Sequence, residues 1–295
     1  MLLLDAIKWR IALLKNKLQG IEPYLTWLEY LNLITSDNRC LPKRNLVVKD
    51  VKESGDGFYK IDLIEGSIYW PCEFNLDDVL DEIVLTSLPG QPHNYFQWGS
   101  IRPGDVILDI GACEGSFSLK CLSLAKEIHL IEPIPRAVES LQKTFEKHMK
   151  ENLVFIHQIA LSDTTGQAQF EFPKEAPQGG RLGRIWPTSE NPEKITVHKE
   201  TLDEFIRNLD IKKIDLIKMD VEGSELAILK GAVTVLSTHR PRLLICTYHH
   251  PRQYDDIVSY LSKFSYDITR SKLMLWDFDG QRTKCRPALI FAEPK

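Results

Sequence analysis

The sequence lacks the features that mark several common protein classes. Its six cysteines are scattered and none forms a Cys-x-x-Cys pair, so a structural zinc site is not indicated and free thiols in a reducing compartment are the natural expectation. No apolar run approaches the roughly 20 residues of a membrane span. The apolar start is interrupted by Lys8 and Arg10 before it reaches the length of a signal peptide. We therefore expect a cytoplasmic protein with no membrane span.

An excess of positive charge is also absent. Lysine and arginine total 37 against 41 aspartates and glutamates, which gives a formal net charge of −4. Proteins that bind a phosphate backbone usually carry a basic surface, so we expect no nucleic-acid partner. The 295 residues are enough for one large domain, or for a domain of roughly 200 residues with an extension.

Residues 106–117 combine the pattern of a buried strand with a glycine turn. The apolar run from Val106 to Leu108 is typical of a strand covered on both faces of a parallel sheet, and Asp109 ends it. Gly111 and Gly115 then bracket three residues, and a helical pattern follows. Glycines without a Cβ and free N–H groups at a helix start let the backbone approach a nucleotide-like ligand.

The same turn lacks two glycines of the dinucleotide fingerprint Gly-x-Gly-x-x-Gly. Cys113 and Ser116 stand at the second and third glycine positions, and the charges of Asp109 and Glu114 would repel a pyrophosphate. A ligand with an ammonium, a sulfonium and a ribose but no phosphate fits better, and S-adenosylmethionine is such a ligand. Glu132, at the end of the next strand pattern, is placed to accept hydrogen bonds from both ribose hydroxyls.

After residue 100, strand and helix patterns alternate. This order predicts an α/β fold with a doubly wound, mostly parallel sheet that helices cover on both faces. The last strand patterns, at residues 266–269, 273–277 and 288–292, have no helix between them and predict an antiparallel addition at one edge. We interpret residues 1–100 as an N-terminal cap of helices and a hairpin that closes over the ligand site, and residues 101–295 as the cofactor-binding domain.

Two further segments allow more than one interpretation. Residues 2–18 carry apolar side chains on one helical face; we favour packing on the domain itself or on a second subunit, which would give a homodimer through the N-terminal helices. The alternative is a helix resting on a membrane surface, but its polar face is not strongly basic. Residues 173–193 are rich in glycine and proline, which is compatible with a mobile lid over the site or with a disordered loop.

Four phrases of the sequence together resemble the FkbM family of S-adenosylmethionine-dependent methyltransferases. They are Asp109–Gly115, Ile131–Pro133, Ala160–Asp163 with Gly166, and the most specific, Lys218–Glu225. The similarity covers about residues 95–292. It implies a Rossmann-like class I fold with a seven-stranded sheet, S-adenosylmethionine bound at the carboxyl ends of the strands, and transfer to a hydroxyl oxygen. Members of the family act on very different acceptors, so the resemblance does not fix the acceptor. We expect a small molecule, a natural product or a glycan.

Candidate cofactor ligands follow from the turn and from the strand ends. The residues around Gly111 are expected at the methionine portion, Glu132 at the ribose, and the segment after the third strand at the adenine. The full candidate set is Asp109, Gly111, Ala112, Glu114, Gly115, Glu132, Ala160 and Asp163. For Asp163, a role as a turn residue ahead of Gly166 is an equally good interpretation.

Asp220, Glu222 and His249 are the candidate catalytic residues. His249 is the preferred general base because imidazole titrates near neutral pH. Asp220 could bind the cofactor ammonium or the acceptor, and Glu222 could instead stabilise the start of the following helix. The three could also hold a divalent metal that acidifies the hydroxyl, but we expect a metal-free site.

Two other functions compete with methyl transfer. A nicotinamide-dependent oxidoreductase could use the same kind of sheet, although Cys113 and Ser116 at glycine positions argue against it. A non-catalytic binding module could retain the fold, although the intact acidic residues argue against such decay.

Overall fold

The structure is a computed structural model that describes residues 3–20, 25–35, 41–91, 93–174, 181–182, 192–250, 252–277 and 283–295. In its N-terminal part, a short 3-10 helix, Leu41–Leu46, separates two helices from a small sheet and a third helix. These elements are α1 (Leu3–Leu18), α2 (Trp27–Thr35), β1 (Val48–Glu53), β2 (Phe58–Leu63), β3 (Ser67–Pro71) and α3 (Leu76–Ser87). None of the helices in the described part of the chain is long and apolar enough to cross a bilayer.

The remaining residues alternate between strands and helices for most of their length. In chain order they form β4 (Val106–Ile110), α4 (Ser116–Cys121), β5 (Glu127–Ile131), α5 (Pro135–Lys150), β6 (Val154–His157), β7 (Ala160–Ser162), β8 (Gly166–Phe172), β9 (Arg181–Leu182), β10 (Glu193–Thr201), α6 (Leu202–Leu209), β11 (Leu216–Met219), α7 (Glu225–Lys230), α8 (Val233–Thr238), β12 (Arg242–Cys246), α9 (Gln253–Leu261), β13 (Tyr266–Arg270), β14 (Leu273–Asp277), β15 (Thr283–Pro287) and β16 (Leu289–Pro294).

Seven strands form the central sheet in the order β13-β16-β12-β11-β4-β5-β6. Six of them are parallel and β16 is antiparallel to both of its neighbours. The predicted doubly wound, mostly parallel α/β sheet is thus confirmed. The direction of the sheet order reverses beside β4, and ligands of such sheets bind in the crevice beyond the carboxyl ends of the strands at that point.

The predicted antiparallel addition is present at one edge of the sheet, where β13 and β16 pair. β16 lies between β12 and β13 rather than outside them, because the crossover through α9 carries β13 one strand position beyond β12 and the final strand fills the gap. β14, however, does not join this sheet. It pairs with β15 in a separate hairpin, and Leu273 and Cys285 of that hairpin pack with Leu13, Leu25 and Tyr30 near the N-terminus.

The hydrophobic core lies on both faces of the central sheet, since neighbouring strand residues point to opposite sides. On one face Ile107 belongs to a cluster that includes Ile61, Trp70 and Ile83 from the N-terminal part of the chain. On the other, Leu108 packs with the helices of the C-terminal half. Buried contacts therefore continue across residue 100, and the division into a cap and a cofactor-binding domain at that residue stays a prediction.

Two smaller sheets flank this core. β1, β2 and β3 form an antiparallel sheet, and β7, β10, β8 and β9 form a mixed one. The segment for which a lid or a disordered loop was considered lies largely outside the described residues, which in that region are 173–174, 181–182 and 192–193.

Candidate functional site

The turn after β4 is the centre of the candidate site. Gly111 has a φ of +77°, and the backbone N–H groups of Gly111 and Ala112 donate to the carbonyl oxygen of Ile131 at 3.0 and 3.3 Å. A Cβ added to Gly111 would lie 1.9 Å from the carbonyl oxygen of Asp220. The glycine thus lets the turn lie directly against the end of β11. Cys113 also has a left-handed φ of +47°, a backbone conformation that glycine adopts more readily than other residues.

Glu132 occupies the end of β5 and is buried. One oxygen of its carboxylate accepts the backbone N–H of Cys113 at 3.1 Å, and the other accepts that of Ile134 at 3.0 Å. Burial nevertheless raises the pKa of Glu132 to about 7, since the backbone donors and Lys218 only partly offset the loss of hydration. Each carboxylate oxygen has two acceptor positions, so both retain capacity for a further donor.

A cleft of about 520 Å³, the first cleft, opens beside Glu132. Most of its wall is apolar and comes from the ends of β4 and β5, from the segment leading to β7, and from β8. Its described lining residues are Ile110, Gly111, Cys113, Ile131, Glu132, Pro133, Ile134, Ile159, Ala160, Leu161, Phe170, Asp220, Val221, Glu222 and Ser224. They include three carboxylates and neither lysine nor arginine, which suits a nucleoside and disfavours a diphosphate.

A second cleft of about 640 Å³ adjoins the first, and both are lined by Gly111, Cys113, Asp220 and Glu222. Its walls come from α3, the segment before β4, the glycine turn, and the ends of β11 and β12. Its described lining residues are Glu82, Thr86, Tyr95, Gly111, Ala112, Cys113, Glu114, Ser116, Phe117, Lys218, Asp220, Glu222 and Tyr248. This wall is richer in polar side chains than that of the first cleft.

Asp220 lies where the two clefts meet. Its Oδ2 accepts the hydroxyl of Tyr95 at 2.6 Å and is 3.5 Å from His93 Nε2, while its Oδ1 is 3.3 Å from His249 Nε2. Burial alone would raise the pKa of this carboxyl group. Hydrogen bonding and attraction from His249 and His93 outweigh the burial and hold the pKa well below its usual range, so Asp220 is ionised at neutral pH.

His249 lies behind this carboxylate, and its side chain is 5% exposed. Its Nδ1 is 2.9 Å from Glu225 Oε1, and its Nε2 is 3.5 Å from Glu222 Oε1. Burial opposes ionisation, but the carboxylates of Glu225, Glu222 and Asp220 raise the pKa of His249 well above its usual value. At neutral pH the imidazole therefore already carries its second proton, which an active general base must lack.

Asp109 is buried beneath the turn. Its Oδ1 is 3.0 Å from Lys218 Nζ, and its Oδ2 accepts the hydroxyl of Ser118 at 2.7 Å. Lys218 also donates to the carbonyl oxygen of Gly111 at 2.6 Å. These contacts tie β4, β11 and the turn together.

The two clefts bring together seven of the predicted site residues: Gly111, Ala112, Glu114, Glu132, Ala160, Asp220 and Glu222. The other four, Asp109, Gly115, Asp163 and His249, line neither cleft. An added Cβ at Gly115 would lie 2.8 Å from atoms of Leu141 and Phe145, so this glycine lets the turn pack against α5. Asp163 is exposed in the turn between β7 and β8.

Sequence reasoning missed Glu82, His93 and Tyr95. The side chain of His93 is 2% exposed and lies between Glu82, 3.4 Å from its Nδ1, and Asp220. Histidine and tyrosine close together before the first central strand were a weak signal. Only the fold shows that α3 and the following segment reach the end of β11.

The described residues contain two groups of side chains whose spacing could admit a metal ion: His93 with Asp220 and Cys246, and Asp220 with Glu225 and His249. In both groups the carboxylate of Asp220 already faces an imidazole, and attraction to carboxylates raises the pKa of His93 as well as that of His249. The contacts of Asp220 with His93 and with His249 have the spacing of ion pairs, and a metal-free site stays a prediction.

The strand order, the inserted antiparallel strand and the acidic crevice at the switch point together define a class I methyltransferase. The chain belongs to the FkbM methyltransferase family, since the profile of the Methyltransferase FkbM domain matches residues 109–268, more than half of its length.

Two curated relatives are similar to the chain. The 2-O-methyltransferase NoeI of Sinorhizobium fredii is 27% identical over 52% of this chain and 67% of its own. The hexuronic acid methyltransferase AglP of Haloferax volcanii is 26% identical over 56% of this chain and 66% of its own. The match thus spans about two thirds of the length of each relative.

Among solved structures, the FkbM methyltransferase of Methylobacillus flagellatus is 22% identical, with a TM-score of 0.46, over 75% of this chain and 56% of that one. A TM-score below 0.5 leaves the fold to be judged from the strand order itself.

Proposed function

We propose that the protein transfers the methyl group of S-adenosylmethionine to a hydroxyl group of a sugar or glycan. The observation that carries the proposal is the pair of adjoining clefts that meet at Asp220. One has apolar walls with a buried carboxylate, and the other is polar. The names of the two relatives, a 2-O-methyltransferase and a hexuronic acid methyltransferase, support a sugar acceptor.

The first cleft fits the nucleoside of this cofactor. Glu132 has acceptor capacity left on both carboxylate oxygens, which matches the two hydroxyls of a ribose, and Ile131, Ile159 and Phe170 offer apolar surface to an adenine. The turn at Gly111 and Ala112 and the carboxylate of Glu114 would hold the methionine portion. The carboxylates that line the site disfavour the diphosphate of a nicotinamide cofactor, so the oxidoreductase alternative is not favoured.

When bound, S-adenosylmethionine supplies an electrophilic methyl group on a sulfonium that needs no acid in order to leave. The protein must then align the acceptor oxygen with that methyl group, and alignment is worth roughly 7–11 kcal/mol in favourable cases. We assign alignment to the second cleft, whose polar wall suits a polyhydroxylated acceptor.

Asp220 is our candidate for the acceptor of the hydroxyl proton. Its carboxylate lies at the junction of the clefts and is held ionised by His93 and His249. A weak base suffices, because an attacking hydroxyl oxygen becomes strongly acidic as its bond to the methyl group forms. His249 as general base remains a prediction, but its protonated state favours a role in orienting Asp220, with Glu222 near the same Nε2 and Glu225 at Nδ1 on the other side of the ring.

The test is transfer of a radiolabelled methyl group to a panel of glycosides and oligosaccharides, with the position determined by mass spectrometry. We expect Asp220→Asn to lower kcat by about 100-fold or more while the dissociation constant for the cofactor changes little. Asp78→Asn, an exposed change outside both clefts, is the control. Absence of transfer to every sugar, or cofactor binding outside the first cleft, would refute the proposal.

We also infer a reducing, cytoplasmic location and a homodimer. In the described part of the chain, Cys72, Cys113, Cys121 and Cys246 form no disulfide bond, which supports a reducing compartment. Trp27, Leu28 and Leu31 of α2 are each more than half exposed, which supports a second subunit as the group that covers them.

A further inference from the structure

The second cleft carries far more negative than positive charge. Glu82, Glu114, Asp220 and Glu222 line it, and among its described lining residues the sole lysine or arginine is Lys218. That lysine is 4% exposed, pairs with Asp109 at 3.0 Å and donates to the carbonyl oxygen of Gly111. Its charge is therefore already compensated before an acceptor arrives.

The carboxylates of the second cleft differ in what else they contact. Asp220 accepts a hydrogen bond from the hydroxyl of Tyr95 and faces the imidazoles of His93 and His249. Glu114 accepts a hydrogen bond from the hydroxyl of Ser116. For Glu82, the described contact is His93 Nδ1 at 3.4 Å, and its side chain is 30% exposed. Glu82 lines the second cleft and not the first, so its charge acts on the acceptor side of the site.

The neighbours of Glu82 suit a sugar ring. Thr86 lies one turn further along α3, and Tyr95, Phe117 and Tyr248 present aromatic rings to the same cleft. Hydroxyl groups of a sugar can donate to the carboxylate of Glu82. A second carboxylate brought to this place would be repelled by Glu82 and by its acidic neighbours. Because the side chain of Glu82 is 30% exposed, added salt partly screens this repulsion.

We propose that Glu82 makes the acceptor site selective for sugars without a carboxylate, that is, for neutral or amino sugars over hexuronic acids. The inference rests on the proposed methyl transfer to a sugar. It assigns to this chain an acceptor class that differs from the one named for its hexuronic-acid relative.

The experiment compares substrates that differ at one carbon. Pairs of p-nitrophenyl glycosides, glucoside with glucuronide and galactoside with galacturonide, are assayed with radiolabelled S-adenosylmethionine at pH 8. This pH lies above the value of about 7 to which burial raises the pKa of Glu82. We expect kcat/KM to favour the neutral member at least tenfold, mainly through KM. Raising the salt concentration should lower KM for the uronide and leave that for the neutral glycoside nearly unchanged.

Glu82→Gln tests the residue itself. It should reduce the preference at least threefold by lowering KM for the uronide, while the dissociation constant for the cofactor stays the same. The matched control is Asp78→Asn, which removes an exposed carboxylate one turn earlier on α3 and outside both clefts. It should leave the preference intact. The salt dependence tests the repulsion in the unmodified protein if Glu82→Gln fails to fold.

The outcomes separate this inference from the proposed function. Equal use of both members, or a preference for the uronide, overturns the inference while methyl transfer to a sugar stands. An unchanged preference in a folded Glu82→Gln variant also overturns it. Transfer to neither member of any pair and to no other sugar refutes the proposed function, and the inference then falls with it.

Discussion

Two carboxylates of the site, Glu132 and Asp220, respond in opposite ways to burial. Glu132 has two backbone N–H donors, and its pKa rises to about 7 because the lost hydration outweighs them. Asp220 faces two imidazoles, and its pKa falls well below the usual range. The presence of an aspartate or glutamate at a strand end therefore does not predict whether its carboxyl group is ionised. The groups that the fold places around the carboxyl group determine its ionisation.

The pH dependence of cofactor affinity should report on Glu132. Ribose hydroxyls donate to the ionised carboxylate, so binding favours the deprotonated form. In the cofactor-free protein the pKa of Glu132 is raised to about 7. The affinity for the cofactor should therefore rise about tenfold per pH unit below pH 7 and level off above it. Calorimetry between pH 5.5 and 8.5 would measure this. Glu132→Gln should bind more weakly, and its affinity should lack this rise; an identical pH profile would contradict the assignment.

Asp109 should matter for stability more than for cofactor binding. It is fully buried and pairs with buried Lys218, so Asp109→Asn leaves that ammonium uncompensated and should cost about 3–5 kcal/mol in the free energy of unfolding. Urea denaturation would measure the loss. The double variant with Lys218→Met should recover part of it, and exposed Asp163→Asn should change stability by less than about 0.5 kcal/mol. A stable Asp109→Asn protein that binds no cofactor would instead make Asp109 a ligand.

At the scale of elements, the conformation of the turn between β4 and α4 is determined by the segments against which its two glycines pack. The sequence identified the strand, the turn and the helix correctly, since their patterns are local. It could not distinguish Gly111, which lies against the end of β11, from Gly115, which lies against α5. These partners are more than 20 residues away in the chain.

Gly111→Ala should therefore damage the protein more than an ordinary glycine substitution. Its Cβ would meet a backbone oxygen at 1.9 Å in addition to the left-handed φ, and the cost should be about 3 kcal/mol or more, with loss of cofactor binding. Gly99 has a similar φ of +60° with open space around it, so Gly99→Ala should cost only about 1 kcal/mol. Thermal unfolding would compare the loss of stability in the two variants. Equal losses would show that the contact of the added Cβ with the carbonyl oxygen of Asp220 does not matter.

At the scale of the whole molecule, α1 and α2 lie against the β14–β15 hairpin through one face and leave apolar side chains exposed on another. Leu28 and Leu31 are 69% and 52% exposed. If a second copy covers them, sedimentation should show a dimer that Leu28→Glu combined with Leu31→Glu converts to a monomer without unfolding it. Ile64→Glu, an equally exposed change in the turn between β2 and β3, should leave the dimer intact. A monomeric wild-type protein would exclude this assembly.

The sequence by itself determined the central sheet, the glycine turn, the carboxylates at the strand ends and the family, because alternation, turn residues and short phrases are local properties. The tertiary structure decided which of those residues share a cleft. It put β16 between β12 and β13, brought Glu82, His93 and Tyr95 to the end of β11, and surrounded His249 with carboxylates. These relations depend on strand order and on packing between distant segments, and the electrostatic environment of each group follows from them.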